Sequence, residues 1–228
     1  MLKQRLKQRT RIKVCGLTRV EDVAAAVAAG VDALGFVFYG PSPRAVTPAQ
    51  AATLLRAVPP FVTTVGLFVN ATAAEVAQVC ADVPLQLLQF HGDETPADCV
   101  AAAQAAGRPF IRAARVAAHS QAGMDLLEYQ AQYRAAQALL LDAFVNGYGG
   151  AGKVFDWSLI PKNLAPQVVL SGGLTAQNVT EAIVRVRPFA VDVSSGVEQA
   201  KGLKNPEKIL QFVQAVRAAD AQIALEST

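Results

Sequence analysis

The sequence predicts a single (β/α)₈ TIM barrel of the α/β class, and two observations support that fold. Short apolar strands alternate with helical segments eight times along the chain. Such alternation requires parallel strands, because each crossover helix must cover the sheet. Eight units also suit one domain of 228 residues, of which 52% are hydrophobic and 17% charged. An open, doubly wound sheet is the alternative architecture.

The eight predicted strands share short runs of β-branched, leucine and phenylalanine residues. In chain order they are RIKVC, VDALGFVF, FVTTVGLFV, LQLLQF, PFIRAARV, ALLLDAF, QVVLSGG and FAVDVSS. The predicted helices that follow are RVEDVAAAVAAG, TPAQAATLLRAV, TAAEVAQVCA, TPADCVAAAQAAG, MDLLEYQAQYRAA, a short segment at FDWSLI, TAQNVTEAIVRV and NPEKILQFVQAVRAA. The sixth unit is the weakest, because its helical segment runs into Pro161 and Pro166.

The barrel is predicted to occupy residues 11–220, with a basic tail over 1–10 and a C-terminal tail over 221–228. The first ten residues carry four positive charges, and the rest of the chain sums to about −1 within a total of +3. The basic character therefore belongs to a poorly ordered terminus and does not predict nucleic-acid binding. No apolar run reaches the roughly 18 residues that a membrane span needs.

The three cysteines, Cys15, Cys80 and Cys99, are odd in number and lack the spacing of metal ligands. This argues against a disulfide framework and against a zinc site. With no export signal, we expect a reducing cytoplasm. Cys80 and Cys99 fall in alanine-rich helical stretches, where cysteine acts as a small apolar filler.

Cys15 is different, because it stands where the first strand ends. Active sites of (β/α)₈ barrels lie at the carboxyl-terminal rim, meaning the strand ends and the loops that follow them. Asp142 follows three core leucines at the end of the sixth strand. Burying a carboxylate there costs folding free energy unless it is paired or has a function. We therefore predict a catalytic role for Asp142 beside Cys15.

Other polar side chains should meet at the same rim and bind substrate. Side chains of a strand alternate between its two faces, so residues two apart share a face. The predicted substrate-binding residues are Arg44, Gln89, His91 and Asp192. Asn70, at the end of the third strand, is predicted to cap the next helix.

Three glycine-rich turns follow the sixth, seventh and eighth strands. Glycine lets backbone N–H groups approach an anion closely, and barrels often bind phosphate after their last two strands. The predicted phosphate-binding residues are Gly172, Gly173, Ser194, Ser195 and Gly196. The turn GYGGAGK lacks the spacing of a nucleotide-binding loop and is predicted to be a mobile lid. Its lid residues are Gly149, Gly150, Ala151 and Gly152.

A linked set of motifs gives the chain a family resemblance. In order they are KVCGLT, DALGFVFYGPSPR, VGLFVN, LQFHGDE, LLLDAF, GGAGKVFDW, LSGGLTAQNV and VDVSSGVE. The chain closely resembles the phosphoribosylanthranilate isomerases of tryptophan biosynthesis, from residue 11 to about residue 217. Ala151 departs from the pattern, where the family often has serine or threonine. If that hydroxyl contacts the phosphate, one contact is lost here, but the backbone donors remain.

The resemblance implies an Amadori rearrangement of N-(5-phosphoribosyl)anthranilate by general acid–base catalysis. Asp142 matches the family's general acid, Cys15 matches its general base, and Arg44 matches a residue near the anthranilate carboxylate. The acid must stay protonated near neutral pH, which burial or negative neighbours would favour. The resemblance implies no metal and no organic cofactor. We expect a monomer whose partner is the small-molecule substrate, with no nucleic acid and no membrane.

Lys13 shares a strand face with Cys15 and is two residues deeper. A lysine inside a barrel is rarely buried without a partner, and the first and eighth strands adjoin in a closed barrel. We therefore predict that Lys13 pairs with Asp192 and helps to hold Cys15 as a thiolate.

Two other functions stay open at this point. The chain could be a different phosphosugar barrel, such as a sugar-phosphate epimerase or another phosphoribosyl isomerase. It could also be a non-catalytic barrel that binds phosphate. The pairing of Cys15 with Asp142 argues against both.

Overall fold

Eight parallel strands close into a barrel in the computed structural model, which describes residues 9–116, 124–143 and 155–226. Strand order follows chain order, and the eighth strand pairs with the first. The predicted (β/α)₈ barrel is confirmed. The strands are β1 (Arg11–Cys15), β2 (Ala33–Val37), β3 (Thr63–Phe68), β4 (Leu87–Phe90), β5 (Phe110–Val116), β6 (Leu139–Ala143), β7 (Val168–Leu170) and β8 (Ala190–Val193).

Seven α-helices cover the outside of the described barrel. They are α1 (Val20–Ala29), α2 (Pro48–Leu55), α3 (Ala73–Asp82), α4 (Pro96–Ala106), α5 (Leu126–Gln132), α6 (Val179–Val186) and α7 (Pro206–Leu225). In three of them a threonine and the residue three positions later exchange hydrogen bonds as a capping box. Their side chains fill the layer between helices and strands with valine, leucine and alanine.

Asn70 does not cap α3, so that prediction is wrong. The cap is Thr72, whose side chain accepts from the backbone N–H of Glu75, while Glu75 accepts from Thr72 in return. Asn70 lies two residues earlier in the left-handed region, with φ of 54°, and its Oδ1 accepts from the backbone N–H of Asp93 at 2.6 Å. It ties two rim loops together instead.

The weak sixth unit has no α-helix among its described residues. The structure describes two short 3₁₀ helices between β6 and β7, at Trp157–Leu159 and Ala165–Gln167. Pro161 and Pro166 prevent a longer helix, because proline cannot donate its backbone N–H.

A two-stranded antiparallel hairpin follows β8 and was not predicted. Its strands are β9 (Glu198–Ala200) and β10 (Leu203–Lys204), and the turn between them contains Gly202. A short 3₁₀ helix, Ser195–Val197, connects it to β8. The hairpin therefore rises from the rim where the phosphate-binding turn was predicted.

Both ends of the described barrel are fixed to its lower face, opposite the rim. Thr10 donates its backbone N–H and its hydroxyl to Asp220, and Arg9 forms an ion pair with Asp32. Helix α7 continues to Leu225, five residues past the predicted end of the barrel, and Ile223 packs against the core. No helix in the described ranges has the length and apolar character needed to cross a membrane.

Candidate active site

Cys15 is the last residue of β1 and lies almost completely buried at the rim. Its neighbour across the sheet is Gly35 of β2. A Cβ atom added at Gly35 would stand 2.7 Å from the Cys15 Sγ. The glycine therefore leaves the space that the thiol occupies.

Directly below Cys15, Lys13 and Asp192 form the pair that the sequence predicted. They are register partners across the β1–β8 seam, and Lys13 Nζ lies 2.9 Å from Asp192 Oδ1. Both side chains are buried. Burial is the largest influence and disfavours the ammonium, but Asp192 and Cys15 together outweigh it, so the pKa of Lys13 is raised. The Asp192 carboxylate, predicted to bind substrate, is thus engaged by a lysine.

Burial raises the pKa of the Cys15 thiol, and the Lys13 ammonium opposes that rise only in part. A second ammonium, that of Lys204, also opposes it, whereas the Asp192 charge adds to it. The sequence analysis predicted that a positive neighbour would make Cys15 a thiolate. The protein instead buries a thiol, with lysines that limit the cost of ionising it.

Asp142 on β6 belongs to a second group of polar side chains, together with Gln89 and His91 at the end of β4. His91 Nε2 lies 3.2 Å from Asp142 Oδ2, and the other ring nitrogen of His91 lies 2.9 Å from Gln89 Nε2. With the Gln89 amide nitrogen facing the ring, His91 Nδ1 is the acceptor, which assigns the ring proton to Nε2, directed at Asp142. His91 is therefore placed to stabilise the Asp142 carboxylate. All three side chains are buried.

Asp192 connects the Lys13–Asp192 pair with the Asp142 group, because its charge interacts with both Lys13 and Asp142. Burial raises the pKa of Asp192, Lys13 opposes the rise, and Asp142 adds to it. The predicted rim cluster is therefore present around one barrel mouth. A thiol and a carboxyl group in this arrangement can take a proton from one atom of a ligand and give a proton to another.

The glycine turn after β7 leads the chain past Asp142. Gly172 has φ of 82°, and a Cβ there would lie 2.5 Å from the Ala143 backbone nitrogen and 3.1 Å from Asp142 Oδ1. Only glycine fits this close approach. The backbone N–H groups of Gly173, Ser195 and Gly196 donate to no acceptor among the described residues. These predicted phosphate-binding groups are free to hold an anion.

Ser194 differs from its neighbours, because its hydroxyl is already used. Ser194 Oγ donates to the Cys15 carbonyl at 3.0 Å. The hydroxyl therefore ties the turn after β8 to the residue that carries the thiol. The predicted lid residues Gly149, Gly150, Ala151 and Gly152 lie outside the described residues.

Arg44 lies in a buried cluster that the sequence analysis did not find, which we call the Arg44 cluster: Arg44, Glu198 and Lys204. Arg44 Nε and Nη2 donate to the two Glu198 carboxylate oxygens at 2.7 and 2.8 Å. Lys204 Nζ donates to Glu198 Oε1 at 2.9 Å, and Lys204 is fully buried. The signal that could have found the cluster is two opposite charges flanking a glycine turn, directly after a rim motif.

No group of three or more His, Cys, Asp or Glu side chains in the described ranges is arranged to hold a metal ion. The three cysteines are free, and Cys99 is completely buried in α4. Burial raises the pKa of Cys99 to about 12, and no catalytic group of the rim contacts it.

Comparisons with known proteins agree with one another. Residues 12–215 match the family described as N-(5'phosphoribosyl)anthranilate (PRA) isomerase. A relative named N-(5'-phosphoribosyl)anthranilate isomerase, from Methylibium petroleiphilum, is 62% identical over 95% of this chain and 98% of its own length. The phosphoribosyl anthranilate isomerase structure from Thermotoga maritima is 40% identical, with a TM-score of 0.81 over 92% of this chain and 99% of the other.

A further solved structure of this type carries a ligand. It is a phosphoribosyl anthranilate isomerase in complex with reduced 1-(o-carboxyphenylamino)-1-deoxyribulose 5-phosphate. It is 38% identical to this chain, with a TM-score of 0.78 over 92% of this chain and 99% of the other.

Proposed function

The chain belongs to the N-(5'-phosphoribosyl)anthranilate isomerase family, and from that premise we propose how its residues carry out the reaction. The enzyme is an isomerase of tryptophan biosynthesis, and it rearranges N-(5-phosphoribosyl)anthranilate to 1-(2-carboxyphenylamino)-1-deoxyribulose 5-phosphate. This is an Amadori rearrangement, in which an aminoaldose becomes an aminoketose. Family membership favours this activity over the epimerase and the non-catalytic barrel.

Asp142 acts first, as the general acid. Its proton passes to the ribose ring oxygen, the bond from that oxygen to C1 breaks, and the nitrogen lone pair forms a C1–N double bond. The product of this step is an open-chain iminium ion. The Asp142 carboxylate that remains accepts the His91 Nε2 hydrogen bond, which stabilises it.

Cys15 acts second, as the general base. Its thiolate removes the proton at C2, and the electron pair of that bond forms a C1–C2 double bond while the iminium nitrogen becomes neutral. The resulting enolamine tautomerises to the ketone, with the oxygen at C2 losing its proton and C1 gaining one. The positive iminium makes the C2 proton acidic enough for a thiolate to remove.

The two charged ends of the substrate fit the two remaining parts of the rim. The backbone N–H groups of Gly172, Gly173, Ser195 and Gly196 would hold the phosphate, with the Ser194 backbone beside them. Arg44 Nη1 has no partner among the described residues and would hold the anthranilate carboxylate. Gln89 supports His91, and direct contact of Gln89, His91 or Asp192 with substrate stays a prediction.

One observation carries this mechanism. Cys15 and Asp142 end two strands of the same barrel mouth and are linked electrostatically through Asp192. The decisive experiment is to incubate the purified protein with N-(5-phosphoribosyl)anthranilate and follow the loss of its anthranilate-type fluorescence. Absence of turnover by folded protein would overturn the assignment.

The pH dependence follows from the buried thiol. Because burial raises the pKa of Cys15, the base becomes deprotonated only as pH rises, whereas Asp142 must keep its proton to act as the acid. We therefore expect a bell-shaped dependence of kcat/KM on pH. Steady-state kinetics across the pH range measures both limbs, with circular dichroism at each pH to confirm folding. The residual activity of Cys15→Ser should lose one of the two limbs, and a variant profile of the same shape as wild type would contradict Cys15 as the base.

Removing the Arg44 guanidinium should weaken substrate binding. Arg44→Ala should raise KM by about tenfold or more, because a charge-assisted hydrogen bond to a carboxylate contributes roughly 1.5–3 kcal/mol. The kcat should change less than KM. Arg44→Lys keeps the charge but loses the two-pronged geometry and should give an intermediate KM. Arg185→Ala, an exposed pair with Glu181, is the matched control. Equal KM values for Arg44→Ala and wild type would refute the contact.

We also propose that the enzyme is a cytoplasmic monomer. The described chain exposes eight large apolar side chains, and single exposed apolar residues need no partner to cover them. The free cysteines suit a reducing compartment. Sedimentation equilibrium should give a mass near 24.0 kDa, and a mass twice that value would disprove the monomer.

A further inference from the structure

Lys204 has no role in the mechanism described above, yet it is among the largest fully buried side chains of the described barrel. A buried lysine is rare unless it is fully paired. Lys204 Nζ donates three hydrogen bonds: to Glu198 Oε1 at 2.9 Å, to the Ser194 carbonyl at 3.1 Å and to Ser194 Oγ at 3.2 Å. Three donated hydrogen bonds match the three protons of an ammonium ion. Burial lowers the pKa of Lys204, and the Glu198 carboxylate opposes that change and favours the charged form.

The three bonds connect two functional parts of the rim. In one direction, Glu198 fixes the guanidinium of Arg44 by two parallel hydrogen bonds. In the other direction, Ser194 Oγ donates to the Cys15 carbonyl. Lys204 therefore stands between the group that would hold the substrate carboxylate and the residue that would act as base.

The two lysines near Cys15 differ in charge balance, although Lys13 has the larger effect on the Cys15 thiol. Lys13 is paired with a single carboxylate, Asp192, so that this pair is neutral. The Arg44 cluster contains two cations and one anion and carries a net charge of +1. This cluster packs against the residue after Cys15, since a Cβ added at Gly16 would stand 2.5 Å from Arg44 Cδ, and its Lys204 charge acts on the Cys15 thiol.

We propose that Lys204 is a positioning residue that serves the carboxylate site and the base together. Through Glu198 it holds Arg44 with Nη1 directed to the ligand. Through Ser194 and its own charge it fixes the Cys15 backbone and favours the thiolate. The part of this inference that concerns the substrate carboxylate rests on the proposed function. The part that concerns the Cys15 thiol does not.

The charged groups that face Cys15 come from each element packed against it. They are Lys13 on the same strand, Asp192 on β8, Lys204 on β10 and Arg44 in the loop after β2. The Lys204 charge lowers the pKa of Cys15 against the effect of burial. Replacing Lys204 leaves Lys13 and Asp192 as a neutral pair, so the local charge falls by one.

The test uses Lys204→Met, which keeps the chain length and removes the charge. Alkylation of Cys15 by iodoacetamide, quantified on the Cys15 peptide by mass spectrometry, should need a higher pH than in wild type. In the same variant kcat/KM should fall by between about tenfold and a hundredfold, with a raised KM, because Arg44 loses its support. Lys204→Arg should recover the wild-type alkylation curve in large part.

Lys201→Met is the matched control, since Lys201 is exposed in the turn of the same hairpin. It should leave the alkylation curve and the kinetics unchanged. If Lys204→Met does not fold, Lys204→Gln removes the same charge but keeps a hydrogen-bond donor, and it should show the same shift of the alkylation curve to higher pH.

Three outcomes would overturn the proposal. The alkylation curve of a folded Lys204 variant could match wild type, KM could stay at its wild-type value, or the variant could lose only thermal stability. A wild-type enzyme that does not turn over N-(5-phosphoribosyl)anthranilate would instead contradict the proposed function. The alkylation measurement needs no substrate, so the two failures are distinguishable.

Discussion

Cys15→Ser should lower kcat by about 10²–10⁴-fold while the protein still folds. The side chain loses one polarizable sulfur atom and gains a hydroxyl of similar shape, in a space that Gly35 leaves open. A serine hydroxyl ionises far less readily than a thiol, so little base would be present at any pH where the enzyme is stable. Binding of the phosphate and the carboxylate uses other residues, so KM should change little.

The matched control is Cys80→Ser, because Cys80 is a half-buried thiol on α3. It should retain wild-type kcat, and circular dichroism should show that both variants are folded. Stopped-flow mixing of Cys15→Ser with substrate would separate slow proton removal from slow binding. Near-full kcat in Cys15→Ser at saturating substrate would show that another group is the base.

Asp142→Asn should have an equally large effect, for a different reason. An amide has the shape of the carboxyl group but cannot deliver a proton to the ring oxygen, so ring opening should slow by about 10²–10⁴-fold. The amide oxygen can still accept from His91 Nε2, which keeps the local geometry. A substrate analogue that is already open-chain should therefore bind Asp142→Asn as well as it binds wild type.

Asp82→Asn is the control for that substitution, because Asp82 is exposed at the end of α3. It should leave kcat unchanged. If Asp142→Asn turned over substrate at the wild-type rate, the proton for ring opening would have to come from another donor. His91→Asn, measured beside it, would report whether His91 is that donor.

The barrel could be predicted because short apolar strands and helical segments alternate eight times along the sequence. The positions of several site residues could be predicted as well. Alternation along β1 places Lys13 and Cys15 on one face, and closure of the barrel places Asp192 opposite Lys13. Both follow from backbone geometry, so no knowledge of side-chain packing was needed. The same reasoning brought Gln89, His91 and Asp142 to one rim.

The Arg44 cluster could not be predicted in that way. Glu198 and Lys204 lie in a hairpin with no strand pattern, in a stretch whose lysine and glutamate content is typical of exposed loops. Their burial depends on Arg44, which is more than 150 residues away in sequence and arrives from another part of the barrel. The local pattern of two opposite charges around a glycine turn could have indicated the Glu198–Lys204 pair, but not its contact with Arg44.

Two predictions about helix ends failed because other contacts decide where these helices begin and end. Asn70 was chosen as a helix cap, but Thr72 and Glu75 form a capping box three residues apart. The C-terminal helix was expected to end by residue 220, whereas Ile223 packs on the core and draws the helix on to Leu225. The expected state of Cys15 also differs, because burial was not visible in the sequence.

The pairing of β1 with β8 has a consequence for the order in which the protein folds. Lys13 and Asp192 are 179 residues apart in sequence, as are Cys15 and Ser194, and Lys204 is still further along. Contacts of such separation form late, because the chain between them must first be ordered. A nascent chain on the ribosome therefore carries Cys15 almost from the start without the charges that surround it. The proposed reactivity of Cys15 as a base would therefore begin only when the last strand closes the barrel.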